Sequence, residues 1–423
     1  MTAIVGVLSR RGVAFAADSA ATHTSASGQK ITNHANKIFT LSKYQPVGVA
    51  LYSNLDFMGI PWDNIIKMFR NDLRDKKFAT LQLYIDEFWK FVKKNCLSTV
   101  AIDQEGYVEV LAENYYKDVH TFALSQIGGT ITPANTTQYF QHYIVKLDEL
   151  KASLISVKAK DFANYKFADF QKYAKNTLDK VLAGTLATQG CPADFRKKFE
   201  ESLFSLLCHS SHTYFLYSGL VFFGYGDKEL FPSYQEYLVS YAVDNHIKYT
   251  ANSSFTINNM RKAVIAPFAQ TDVTNTVIRA VEDDLRQKFY DNNKISLGGF
   301  RDEIVNQMAA ANAPQQLIDI LNGLDIEKYS HDYQNGMNDY IQNRYIDSLI
   351  ETVAYLSKED LADMAESLVR MTCIKRRITS TQETVGGPVD VAVVTKGDGF
   401  VWMKRKHYFD PKFNPQFFER YNK

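Results

Sequence analysis

The chain has 423 residues, enough for one elaborated domain or two ordinary ones. Its 48 Lys+Arg against 47 Asp+Glu leave a formal charge of +1. No global field therefore argues for nucleic acid or an anionic membrane as partner. The four cysteines, Cys96, Cys191, Cys208 and Cys373, are isolated and form no Cys-x-x-Cys pair, for which reduced cytosolic thiols are the simplest reading. No apolar stretch approaches the ~20 residues of a membrane helix, and the N-terminus lacks a secretory pattern, so a cytoplasmic protein is expected.

The first residues carry the most chemistry. Ala3–Leu8 and Val13–Ala17 are apolar runs around the polar turn Ser9-Arg10-Arg11-Gly12, the pattern of a buried hairpin. Thr2 stands directly behind Met1, and its small side chain makes Met1 a substrate for methionine aminopeptidase. The mature chain would then begin with a residue that holds a hydroxyl nucleophile and a free α-amine able to act as its base. Asp18 closes the second run. Lys37 opens a third, Lys37-Ile-Phe-Thr-Leu41, followed by Pro46–Tyr52.

Pro61-Trp62-Asp63 opens a helix with Ile65, Ile66, Met68, Phe69 and Leu73 as its apolar stripe. Residues 80–95 continue at helical spacing, and Thr99–Asp103 reads as a short strand. Residues 125–212, rich in Lys, Ala, Leu and aromatics, read as a helical insertion, since loops of that length are rare. Strands resume at 219–225, 234–243 and 263–268. A long helix is expected from Val273 through Val277, Ile278, Val281 and Leu285, with a second helical elaboration at 300–345. Ser357-Lys-Glu-Asp360 is a capping box opening the next helix. Val389–Thr395 and Phe400–Lys404 flank Asp398-Gly399 as a closing hairpin. The continuous apolar runs at 3–8, 47–52, 219–225 and 389–394 suit strands buried on both faces. The order of elements predicts an α+β chain with two central sheets covered by helices, a four-layer αββα arrangement in a single domain over 1–423.

Thr2-x-x-Val-Gly-Val, Gly12-Val-x-x-Ala-Ala-Asp18-Ser19 and Lys37-Ile-Phe together closely resemble the opening of proteasome β-subunits and their bacterial relatives, which are N-terminal-nucleophile hydrolases. Gly386-Gly-Pro-Val-Asp390 through Gly399 resembles the last core strand pair of that family. The resemblance covers roughly half of the chain in four patches. It implies an αββα fold and a catalytic set of Thr2, Asp18 and Lys37. An amine with an ordinary pKa of about 7.7–8.0 is a well-matched base, and a neighbouring ammonium would favour its free form. Oxyanion donors are expected from the segment Leu51-Tyr52-Ser53, with the Leu51 and Tyr52 backbone amides as the named pair.

The family's Asp-x-x-Ser-Gly-Gly support motif is replaced here, with Gln382 and Val385 at the Asp and Ser positions. Glu383 and Thr384, shifted by one, could supply equivalent groups. The family's Ser-Gly-Ser turn falls at Gln270-Thr271-Asp272, which makes Thr271 and Asp272 supporting residues. The implied function is a threonine hydrolase cleaving amide bonds, with peptides or unfolded protein as substrate. An amidase of small acylamides and a catalytically silent assembly subunit are the alternatives. A homo-oligomer is expected, with room for an unfoldase partner, and no metal or organic cofactor is implied. Cys208-His209-Ser-Ser-His212 is too tightly spaced for a common zinc motif and reads as a helix end.

Overall fold

The structure is a computed structural model that describes residues 2–25, 28–154, 157–212, 216–379, 385–407, 409–416 and 419. The strands among them are β1 (Ala3–Ser9), β2 (Gly12–Ala17), β3 (Ala21–Ser25), β4 (Gly28–Thr32), β5 (Ile38–Thr40), β6 (Val47–Ser53), β7 (Asp56–Phe57), β8 (Ile60–Pro61), β9 (Ser218–Gly224), β10 (Ser233–Val243), β11 (His246–Thr256), β12 (Ala263–Ala269), β13 (Asp390–Thr395) and β14 (Gly399–Lys404). The α-helices are α1 (Trp62–Leu73), α2 (Leu81–Cys96), α3 (Ala101–Gln126), α4 (Thr136–Ser153), α5 (Phe167–Leu186), α6 (Phe195–Cys208), α7 (Asp272–Arg279), α8 (Asp283–Ala310), α9 (Gln315–Asn322), α10 (Ile326–Ile341), α11 (Asp347–Val353) and α12 (Lys358–Thr379). None is long and apolar enough to cross a membrane.

The chain divides into two compact units. The first comprises Met1–Ala35, Ile257–Val393 and Val401–Lys423; the second comprises Asn36–Thr256 and Val394–Phe400.

The first unit is built on the antiparallel core of a five-stranded sheet, β12-β1-β2-β13-β14. β1 and β2 are buried along their whole length, as their unbroken apolar runs require. On one face, Val5 and Val7 of β1 and Ala14 and Ala16 of β2 share a core with Leu361, Ala365 and Val369 of α12. Alanines on both the strand and the helix permit this close packing. In the β1–β2 register Gly6 sits opposite Phe15. A Cβ on Gly6 would lie 2.7 Å from the Phe15 ring, so only glycine fits there. Phe15 then stacks on Phe268 of β12. The capping box forms as expected: Asp360 N–H donates to Ser357 Oγ at 3.1 Å, and Ser357 N–H donates back to the Asp360 carboxylate at 3.3 Å. The helix expected to run on from Val273 is two helices. It breaks at Ala280, which takes a left-handed conformation (φ 58°) between α7 and α8.

The second unit holds the sheet β11-β10-β9-β6-β5. Its core is one continuous cluster that joins Leu51 and Phe222 of the sheet to Trp62, Phe88 and Trp89 of α1 and α2, and onward to Tyr115, Tyr143 and Phe195 of α3, α4 and α6. The helices expected from Trp62 and over 80–95 form as α1 and α2, but α3 begins at Ala101, ahead of the expected insertion at 125–212, and these helices share the core of the sheet. Met68, expected on the inner stripe of α1, is exposed. Thr99–Asp103 is not a strand. The β-branched residues there are overruled by Gln104, whose side chain donates to Leu97 O and accepts from Asn245 N–H, fixing the turn that enters α3.

Candidate active site

Thr2 is buried at the start of β1. The main chain around it is gripped on both edges. Its carbonyl accepts the Gln270 N–H at 3.2 Å, while the next residue, Ala3, donates its N–H to Asp18 Oδ1 at 2.9 Å and accepts the Asp18 N–H at 3.1 Å. β12 contributes Ala269, opposite Ala3 in register and held at φ 64°, so that the chain turns and presents the Gln270 amide. Gln270 was legible only as one position of an aligned turn, and it is its backbone amide, not its side chain, that reaches Thr2.

Asp18 does more than the sequence assigns to it. Besides Ala3, its carboxylate accepts the Ala20 N–H at 3.1 Å and the Gly386 N–H at 3.0 Å, both on Oδ2. A buried carboxylate is stable only with such partners, and charge-assisted bonds of this kind are among the strong ones. Asp18 thus joins three segments: the start of β1, the turn after β2 and the Gly386-Gly387-Pro388 loop. The loop is fastened again by Ser19, which donates its N–H to Gly386 O at 3.0 Å and its hydroxyl to Pro388 O at 2.5 Å. Gly387 adopts φ 77°, and a Cβ there would stand 3.0 Å from Asn33 Cβ. The glycine is required both by its conformation and by the close approach.

The expected supporting residues divide. Asp272 pairs with Arg376 at 2.6 Å and Lys375 at 3.5 Å, so its carboxylate ties α7 to α12. Thr271 precedes α7 without a side-chain capping bond, and its carbonyl accepts Asn275 N–H. Glu383 and Thr384 lie outside the described residues.

Lys37 is the second residue of the second unit and is fully buried. Its carbonyl accepts the Leu51 N–H at 2.7 Å. The Leu51 amide, expected as an oxyanion donor, is thus engaged beside the β5–β6 ladder. Strand alternation turns the Tyr52 amide the other way, toward β9, where Tyr52 sits opposite Gly219. The next amide on Leu51's side belongs to Ser53, which ends β6 at φ 65°.

The Tyr52 side chain has a structural task. Its ring occupies the space above Gly219, where a Cβ would meet it at 2.0 Å. Its hydroxyl donates to Glu236 Oε1 at 2.5 Å, while Asn252 and Ser253 donate to Oε2 at 2.7 and 2.6 Å. Burial, followed by the Glu236 charge, raises the Tyr52 phenol well above its usual range, so it stays a neutral donor. No sequence pattern marked Glu236; it reads as one acid in a tyrosine-rich strand.

Among the described residues no group of three or more His, Cys, Asp or Glu side chains could hold a metal ion. Cys208 ends α6, as expected. His212 hydrogen-bonds Ser240 and, at 2.8 Å, Thr250, and burial with the nearby Lys248 charge lowers its pKa to about 4.

No protein-family model matches the chain, and no curated protein matches it. Among solved structures, it is similar to an Anbu (Gly-1) mutant from Hyphomicrobium sp. strain MC1, at 8% identity and TM-score 0.29, over 100% of this chain and 97% of that one. It is also similar to Anbu (ancestral beta-subunit) from Yersinia bercovieri, at 8% identity and TM-score 0.29, over 99% of this chain and 92% of that one. A third is the helical assembly of the Anbu complex from Pseudomonas aeruginosa, at 9% identity and TM-score 0.26, over 98% of this chain and 92% of that one. At these scores the likenesses carry no weight for fold or function, which rest on the chain's own residues.

Proposed function

We propose that the chain is an N-terminal threonine hydrolase of amide bonds, with an αββα N-terminal-nucleophile fold forming one catalytic domain. The observation that carries the reading is the grip on Thr2: a buried residue at the chain's start whose carbonyl is held by Gln270 and whose successor is held on both sides by Asp18. A nucleophile fixed in this way is pre-oriented, which is where much of the barrier reduction in acyl transfer originates.

In this reading, removal of Met1 frees the Thr2 amine. Thr2 Oγ attacks the substrate carbonyl carbon and its proton passes to the α-amine. The amide C–N bond breaks as the ammonium returns that proton to the leaving amine. Water then attacks the Thr2 ester with the amine again as base, releasing the acid and restoring the hydroxyl. Lys37 is assigned the cation that favours the free amine, on its sequence position and burial. Asp18 orients the strand that carries the nucleophile. With the Leu51 amide engaged, Ser53 N–H replaces it as the assigned oxyanion donor. Peptides or unfolded protein are the proposed substrates, and the protein is read as cytoplasmic and homo-oligomeric.

Intact mass and a peptide epoxyketone test this together. That electrophile closes a ring only on a residue offering both a hydroxyl and a free α-amine. Loss of Met1 and a single adduct on Thr2 are expected. A retained Met1, or turnover by Thr2→Ala at the wild-type rate, removes the mechanism.

A further inference from the structure

We infer that the helices of the second unit hold a binding site for a small neutral phenol or aromatic alcohol, in a cleft between α3, α4 and α5. The inference is independent of the catalytic reading, since no residue of the candidate active site takes part in it. The cleft has a volume of about 340 Å³. That is the lower end of the ~300–1,000 Å³ of ligand sites, a size for one substituted ring. Tyr116 of α3, Ile131, Phe140 of α4, and Val181, Gly184 and Thr185 of α5 line it. Two aromatic rings and two branched aliphatic side chains suit a flat apolar body.

One wall carries hydroxyls in a fixed order. Thr185 Oγ1 donates to the Tyr116 hydroxyl at 2.7 Å. The Tyr116 hydroxyl interacts in turn with the Tyr139 phenol, and Tyr139 shares a 2.6 Å hydrogen bond with His120 Nδ1. Burial, and after it the neighbouring Tyr116, raises the Tyr139 phenol above its usual range, while burial lowers the His120 imidazole below its own. Both side chains are therefore neutral near pH 7, and Nδ1 accepts the Tyr139 hydrogen. Each hydroxyl passes its hydrogen along the row toward His120. The row begins at Thr185, whose oxygen gives a hydrogen and keeps its lone pairs for a donor. A ligand O–H extends the row by donating to Thr185, and a polarised row strengthens each bond in it.

Two further features narrow the ligand. Among the described residues lining the cleft there is no Lys, Arg, His, Asp or Glu. A carboxylate or ammonium would lose its water there without a counter-charge, so the ligand is neutral. Gly184 keeps the space open. It lies in the last turn of α5, and a Cβ on it would meet nothing within 4 Å. Neither a left-handed backbone nor close packing calls for glycine at this position, and a larger side chain would enter the cleft beside Thr185.

Ligand-observed NMR titration of the full-length protein with p-cresol tests the proposal, with p-toluate as the charged counterpart. Saturable p-cresol binding is expected, with p-toluate at least ~10-fold weaker. Gly184→Leu should weaken p-cresol binding at least ~10-fold by filling the cleft, while raising the melting temperature because leucine is the better helix former. Thr185→Val should weaken it about 5-fold, the worth of one neutral hydrogen bond. Far-UV circular dichroism checks that both variants fold. Absence of saturable p-cresol binding, equal binding of p-toluate, or p-cresol binding untouched by either variant would overturn the proposal.

Discussion

Replacing Asp18 with asparagine changes few atoms but should cost the first unit several kcal/mol. The aspartate offers two acceptor oxygens to three backbone donors: Ala3 on Oδ1, and Ala20 and Gly386 on Oδ2. Asparagine has one acceptor oxygen and one NH₂. Its better orientation keeps the oxygen toward Ala20 and Gly386 and turns the NH₂ toward the Ala3 amide. Two charge-assisted bonds then become neutral ones, at ~1 kcal/mol each, and one buried N–H is left facing a donor, at ~1–3 kcal/mol. The total is about 3–5 kcal/mol, a large share of the ~5–15 kcal/mol that stabilises a domain.

The loss should also be local. Hydrogen exchange of peptides spanning residues 2–20 and 385–395 should accelerate more than exchange in β9 or β10, and the urea midpoint should fall. Asp18→Ala should be worse, since it leaves all three amides without the carboxylate. An Asp18→Asn variant within ~1 kcal/mol of wild type, with unchanged exchange at both segments, would refute the view of Asp18 as the junction of those segments.

Three further outcomes are expected. Thr2→Ser should keep epoxyketone labelling and part of the turnover, because hydroxyl and amine survive, while Thr2→Ala should lose both with an unchanged melting temperature. Gly387→Ala should destabilise the protein by roughly 1–3 kcal/mol in urea titrations, because alanine is strained at φ 77° and its Cβ would press on Asn33; an unchanged midpoint would show that the loop shifts freely. Lys248 is buried and donates to Leu206 O at 3.1 Å, and burial lowers its pKa from 10.5 to about 7. Between those values the unfolded chain binds the extra proton, so stability should climb as pH rises from about 7 toward 10.5, by up to ~4–5 kcal/mol, and Lys248→Met should flatten that slope.

The strands were the most legible part of the fold. β1, β2, β6, β9 and β13 are buried throughout, apart from the exposed Ser53 at the end of β6, and each appears in the sequence as an unbroken apolar run between turn residues. The helices were visible as a region but not as a boundary. The inner residues of α3, among them Val108, Leu111, Tyr115 and Val119, match those of any core helix. Nothing local says that they join the core beneath β9 and β10 instead of forming a separate insertion. The Thr99–Asp103 error has the same origin: a β-branched run is a weak local preference, and the bonds that overrule it come from Gln104 and from Asn245, 141 residues further on.

The candidate site's residues were legible where they are adjacent to distinctive neighbours, and illegible where the contacts are made by backbone. Thr2 and Asp18 stand at the ends of two readable strands, and fifteen residues separate Ala3 from the carboxylate that accepts its amide. The partner that completes Asp18's environment is the amide of Gly386, 368 residues away. An amide has no sequence signature of its own. What the sequence does carry is the pair of glycines that lets the loop come close enough to present it. The same reasoning applies to the Leu51-Tyr52-Ser53 amides. Leu51, Tyr52 and Ser53 are consecutive, and which of their amides is available depends on the ladder phase set by Lys37 O on one side and β9 on the other. A shift of one residue in that register would exchange the bound and available amides, and no side chain in the segment reports the phase. Side-chain candidates could therefore be named before the fold was known, whereas the direction of each backbone amide required the strand pairing that fixes it.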